Sequence, residues 1–133
     1  MNIFKFKPNL QALENSNIFN NKPGIFKTDI IDAEIDETRN GSPLLRLILI
    51  PENCESIFIL PIAVSENPIT HKYFKNFCES IGLNYPKNGK LNLDDIVGKS
   101  GLVKYIWKSE WITVDNLTNK KTLMAKYFVK NNN

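Results

Sequence analysis

The stretch GIFKTDIIDAEIDETRNGSPLLRLIL, residues 24–49, decides the fold. β-type segments flank Asn40-Gly41, and both of these residues tolerate the positive φ of a type I′ turn, so the pair predicts a tight hairpin. Before the turn, Ile25, Ile31, Ala33 and Ile35 share one parity, whereas Phe26, Thr28 and Ile30 share the other. A pleated strand turns alternate residues to one side, so the switch at Ile30-Ile31 predicts a bulge or a sharp bend. After the turn, Leu45, Leu47 and Leu49 share a face suited to a core, which turns Leu44, Arg46 and Ile48 outward.

Outward from this hairpin, a loop over residues 51–56 leads to a third apolar run at 57–64, which completes a three-strand meander. Asn67-Pro68 then reads as a helix start, with Asn at the N-cap and Pro at the first helical position. Ile69, Tyr73, Phe74, Phe77, Cys78 and Ile81 follow at helical spacing, and Gly82 supplies the stop. Asn92 caps a further single turn over 93–97 that ends at Gly98. Residues 102–108 and 123–130 read as two more strands, with 111–114 extending the first and 115–121 forming a polar hairpin loop. Residues 1–22, rich in Asn, read as an N-terminal arm, 23–130 as the domain, and 131–133 as a short polar tail.

Three strands, one amphipathic helix and two strands fit a mainly β fold, although the order alone is compatible with other α+β folds. The expected architecture is a five-stranded OB-fold-like barrel whose single helix, between strands 3 and 4, plugs one end. A chain of 133 residues, 42% hydrophobic and 23% charged, is one ordinary globular domain. No apolar run approaches the roughly 20 residues of a membrane span, and residues 1–7 lack the apolar centre of a signal peptide. A cytoplasmic location is expected. Cys54 and Cys78 have no CxxC spacing and are expected as free thiols, while the lone His71 predicts no metal site. The net charge of +3 permits an anionic partner without requiring one.

Residues 24–49, with FKNFCESIGL at 74–83 and LNLDDIVGKSG at 91–101, resemble a family of phage-encoded OB-fold single-stranded DNA-binding proteins, long filed as a domain of unknown function. The resemblance covers most of residues 23–129. It implies a barrel that coats single strands during phage DNA replication and recombination, without a catalytic role. Many members end in an acidic tail that recruits other replication proteins. This chain ends KYFVKNNN, so that tail function is not carried over, and the arm is an addition to the family pattern.

Sequence-independent binding of a single strand needs cations to track phosphates and flat rings on which bases stack, each ring worth roughly 1–3 kcal/mol. Arg46, flanked outside the barrel by Leu44 and Ile48, is a candidate for the base-contacting face. The alternative is that the arm or a partner subunit covers that face. Trp107 shares its parity with Val103 and Tyr105 and is expected in the core. Trp111, beyond the barrel body, is the better stacking candidate. Phe58 is another, because strand 3 commonly faces ligand in this fold. The loops that flank an OB-fold groove carry Arg39 on one side and Lys120 and Lys121 on the other, and Lys108 lies on the outer parity of strand 4. FKFK at 4–7 interleaves rings with cations, which suits nucleic acid, an edge strand, or docking on a neighbouring subunit; the structural readings are favoured.

Signals of catalysis fail individually. GKS at 98–100 lacks the upstream glycine of a phosphate loop, since that position is Leu93, and a strand follows it. Asp94 and Asp95 suit the first turn of a short helix. Glu34, Asp36 and Glu37 decorate a strand end, His71 is expected as a solvated imidazole, and Asn116-Leu117-Thr118 is a glycosylation triplet without a secretion signal. The expected function is non-catalytic single-stranded DNA binding, with RNA and a homodimer as open possibilities and no cofactor. A viral protein-interaction module built on the same barrel, docking on a host or viral protein, is the alternative.

Overall fold

The computed structural model describes residues 2–8, 19–112 and 118–130; for 109–112 and 118–120 it describes the backbone alone. Among the described residues, five strands and one helix follow in the expected order: β1 Gly24–Glu37, β2 Pro43–Pro51, β3 Phe58–Ala63, α1 Pro68–Ser80, a 3-10 turn Leu93–Asp95, β4 Ser100–Ile112 and β5 Thr118–Phe128. The sheet order is β3-β2-β1-β4-β5, every hydrogen-bonded pair being antiparallel. β1 bridges both halves because it pairs with β4 over Gly24–Asp29 and with β2 over Thr28–Glu37. The sheet curls until β3 and β5 lie side by side, giving a nearly closed barrel with the OB-like arrangement.

The parity switch in β1 is a bulge. The register with β2 slips between Ile30 and Asp32, which lets Ile30 and Ala33 both point inward while Ile31 faces solvent. Gly98 N–H donates to the Ile30 carbonyl, and Ile30 N–H to the carbonyl of Lys99. The GKS segment therefore stitches the bulge to the start of β4, a structural task for a motif with no phosphate-loop geometry. β2 alternates as read, with Leu45, Leu47 and Leu49 buried.

The Asn40-Gly41 turn differs from the type I′ expectation. Gly41 takes φ +80, but Asn40 is not among the positive-φ residues; Gly41 N–H donates to Thr38 O, and Thr38 N–H to Ser42 O. This is a three-residue hairpin loop, a type I turn closed by a left-handed glycine. The Thr38 hydroxyl accepts from Ser42 N–H and adds the bond that favours this longer loop.

Helix α1 begins and ends as its residues dictate. Asn67 Oδ1 accepts from Ile69 N–H, and at the other end Leu83 N–H reaches Cys78 O while Gly82 takes φ +76, a Schellman stop. The helix buries Phe74, Phe77 and Cys78 in one end of the barrel. Its last residue is pinned to β4, because Ser80 Oγ accepts from Leu102 N–H and donates to Leu102 O. Gly101 is the point of closest approach: a Cβ there would meet Ser80 Oγ at 2.7 Å.

The opposite end is closed by a residue of the arm. Phe19, only 6% exposed, sets its ring 5.1–5.7 Å from those of Phe26, Phe58 and Tyr105. In packing terms the barrel therefore includes Phe19, upstream of the boundary expected at residue 23. Beneath it, Thr28 Oγ1 donates to Phe26 O, which leaves the Tyr105 hydroxyl as donor to Thr28 at 2.7 Å.

Burial raises the Cys78 thiol from an ordinary 9.0 to about 11, and burial, partly offset by the Thr28 hydrogen bond, raises the Tyr105 phenol from 10.0 to about 12. Both groups are held neutral, so their stabilising contribution is complete below pH 9 and declines as pH rises through 9–11 for Cys78 and 10–12 for Tyr105. Denaturant midpoints measured from pH 8 upward are expected to fall across that window. Cys78→Ala should shift the onset of the fall upward, and an onset unchanged in that variant would contradict the assignment.

Candidate nucleic-acid interface

The ladder assigns each outward residue of β2 a neighbour on either side. Ile48 lies between Asp32 and Ile59, Arg46 between Glu34 and Pro61, and Leu44 between Asp36 and Ala63. The outer face of β1-β2-β3 is thus two columns flanking β2, carboxylates along β1 and apolar side chains along β3. Arg46 is bracketed by carboxylates: its guanidinium is 2.9 Å from Asp36 Oδ2 and 3.6 Å from Glu34 Oε2. The Glu37 backbone N–H and then the Arg46 guanidinium hold the Asp36 carboxyl below its usual range. The cation expected to meet phosphate already has two anionic partners, and Glu34 and Asp36 have a role the sequence did not reveal.

Phe58 shares the inward parity of Leu60 and Ile62, and its ring lies 5.1 Å from that of Tyr105, edge to face. It packs against the core and does not share a face with Arg46. Arg39 stands exposed at the turn between β1 and β2. The other flanking loop is at the far end of β1, because β4 leaves β1 at Gly24 and continues to Ile112.

That continuation corrects the expected loop at 115–121. β5 starts at Thr118, with Trp111 opposite Asn119 and Glu110 opposite Lys120, so Lys120 and Lys121 belong to a strand. The stretch TNKK at 118–121 carries no apolar alternation, and periodicity could not find it. The side chains of Trp111 and Lys120 lie outside the described residues, as do Asn116 and Leu117 of the glycosylation triplet. Lys108 and Lys121 are exposed on the ribbon. Trp107 is not in the core: it keeps the inward parity of Tyr105 but stands past the barrel body, 44% exposed.

A second cluster escaped sequence reading. The register between β4 and β5 slips so that Lys104 faces Tyr127 while Tyr105 faces Ala125, leaving Lys126 as a bulged residue. The bulge puts Lys126 and Tyr127 both outside while Ala125 and Phe128 stay buried. Both ammonium groups approach the Tyr127 ring, Lys104 at 5.7 Å and Lys126 at 5.9 Å, and Tyr73 of α1 tilts against it at 5.6 Å. These rings border an open cleft of about 270 Å³ along the seam where β3 meets β5, lined also by Pro61, Ile62 and Thr70. The only sequence signal was Tyr73 on the helix, and its partner Tyr127 depends on the bulge.

Charge is strongly segregated over these surfaces. β1 carries Lys27 against five carboxylates, whereas β4 and β5 together carry five lysines against Glu110. His71 is not a freely solvated imidazole. Its Nδ1 lies 2.7 Å from Ser65 O, which can only accept, so Nδ1 donates there, and the other nitrogen, Nε2, is hydrogen-bonded to the Tyr85 hydroxyl. Among the described residues no group of His, Cys, Asp and Glu is arranged to hold a metal ion. None of the described helices is long and apolar enough to cross a membrane. A scan against protein-family models matches no family, and a search of curated proteins matches none.

Proposed function

We propose that this protein binds single-stranded DNA without catalysing a reaction and with little sequence preference, the strand running over the outer face of β4 and β5. The observation that carries the reading is the concentration of lysines on that ribbon beside the half-buried Tyr127 ring and the exposed Tyr73 ring. On that face Lys104, Lys108 and the bulged Lys126 track phosphates, and Tyr127 and Tyr73 offer stacking surfaces. The carboxylate column of β1 repels the same strand from the Arg46 face. The resemblance to phage single-stranded DNA-binding proteins adds a setting, replication and recombination in the host cytoplasm, and the reduced Cys54 and Cys78 suit that compartment.

Titration of labelled oligo-dT at low salt is expected to raise its fluorescence anisotropy, and the complex should weaken steadily as salt rises. No complex at low salt would refute the reading. Oligo-U in the same titration ranks RNA against DNA. The alternative, a module that docks on a host or viral protein, is supported by the apolar and acidic outer face of β1-β2-β3.

A further inference from the structure

We infer that the outer face of β1-β2-β3 is the seat for the N-terminal segment, residues 2–8, of a second copy of this chain. The seat has two parallel columns on either side of β2, Asp32, Glu34 and Asp36 along β1 and Ile59, Pro61 and Ala63 along β3. Ile59, 58% exposed, adjoins the half-buried Ile48, and with Leu44, Pro61 and Ala63 they form a contiguous apolar strip of the kind that marks an interaction surface. Two interstrand spacings, about 9.5 Å, separate the columns, and residues within each recur at every second position, about 6.7 Å apart.

The segment NIFKFKP repeats on the same two-residue period, with Phe4 and Phe6 on one side and Lys5 and Lys7 on the other. Laid along β2, an extended strand of this sequence sets its phenylalanines over the apolar column and its lysines over the carboxylates. The charges match: three carboxylates against Arg46 leave two negative charges, and Lys5 and Lys7 supply two positive ones. Phe4 is 86% and Phe6 69% exposed on their own chain, with their rings stacked on each other 5.8 Å apart, so the segment does not occupy its own barrel. Phe19 anchors the arm in one barrel, and the chain from Pro8 to Phe19 can extend at most about 40 Å, enough to reach an adjoining copy. Reciprocal exchange of arms closes a dimer, and one-way donation builds a chain of subunits.

The test uses the full chain without nucleic acid, so it is independent of the DNA-binding reading. Sedimentation velocity at low salt should show concentration-dependent association. Ile59→Asp and, separately, Phe4→Ser/Phe6→Ser should each weaken it by about tenfold or more, with circular dichroism unchanged. Lys5→Glu/Lys7→Glu and Asp32→Lys/Glu34→Lys should each associate poorly alone and regain association when mixed. A monomeric wild type, variants that associate as the wild type does, or a mixture that stays monomeric would overturn the inference. A monomeric wild type with a spin label at position 6 close to Ile59 would place the segment on its own barrel instead, and would equally overturn it.

Discussion

Lys104→Glu/Lys126→Glu is expected to weaken oligo-dT binding by on the order of tenfold for each lysine reversed. The log-log salt dependence should flatten by roughly 0.7 for each phosphate that is no longer neutralised. These two cations converge on the Tyr127 ring from neighbouring strands, so reversing them replaces a cationic approach to a half-buried aromatic with an anionic one. Both side chains are solvent-facing, and the barrel should keep its stability to within about 0.5 kcal/mol. Arg46→Ala is the informative contrast. Its guanidinium is already engaged by Glu34 and Asp36, so removing it should change binding by less than about threefold, a difference of under 1 kcal/mol. Equal losses in the two variants would move the strand to the β2-β3 face and defeat its placement on the β4-β5 ribbon. Fluorescence anisotropy over a salt series measures both quantities.

Phe19→Ala should cost about 3–5 kcal/mol of folding stability, the range for truncating a buried phenylalanine, and lower the melting midpoint by on the order of 10 °C. The ring is nearly fully buried and meets three others at the end of the barrel that α1 does not close. Its loss opens a void against Tyr105, whose hydroxyl must keep its bond to Thr28. Deleting residues 2–8 should leave the stability of the monomer within about 0.5 kcal/mol, because those side chains are exposed. Thermal melts of the two variants side by side separate the arm into a structural part at Phe19 and a free part at residues 2–8. A Phe19→Ala melt indistinguishable from wild type would remove that residue from the core.

Much of the site logic was hidden from a linear reading for one reason. Sequence pattern reports whether a residue faces in or out, but it is silent on which outward residues become neighbours. Arg46 was correctly turned outward, yet its two carboxylate partners come from β1 through the register of the hairpin. Tyr127 was not a candidate because strict alternation from Ala125 would bury it and expose Phe128. One bulged residue reverses both. Trp107 misled in the other direction, since its parity is inward but the barrel wall it should face ends before it does.

Local chemistry was sufficient for the elements themselves. The Asn67-Pro68 cap, the Gly82 stop, the alternation of β2 and the parity slip in β1 are each short-range consequences of backbone and pleat, and the order they impose admits the five-stranded barrel. The three-residue turn at Arg39-Asn40-Gly41, the strand character of Lys120 and Lys121, and the anchoring of Phe19 required the folded chain, because each depends on a hydrogen bond or a ring contact between residues the pattern does not link. Charge makes the same point at the largest scale. A net +3 is featureless along the chain, and becomes an acidic face and a basic ribbon when β1 is laid between β2 and β4.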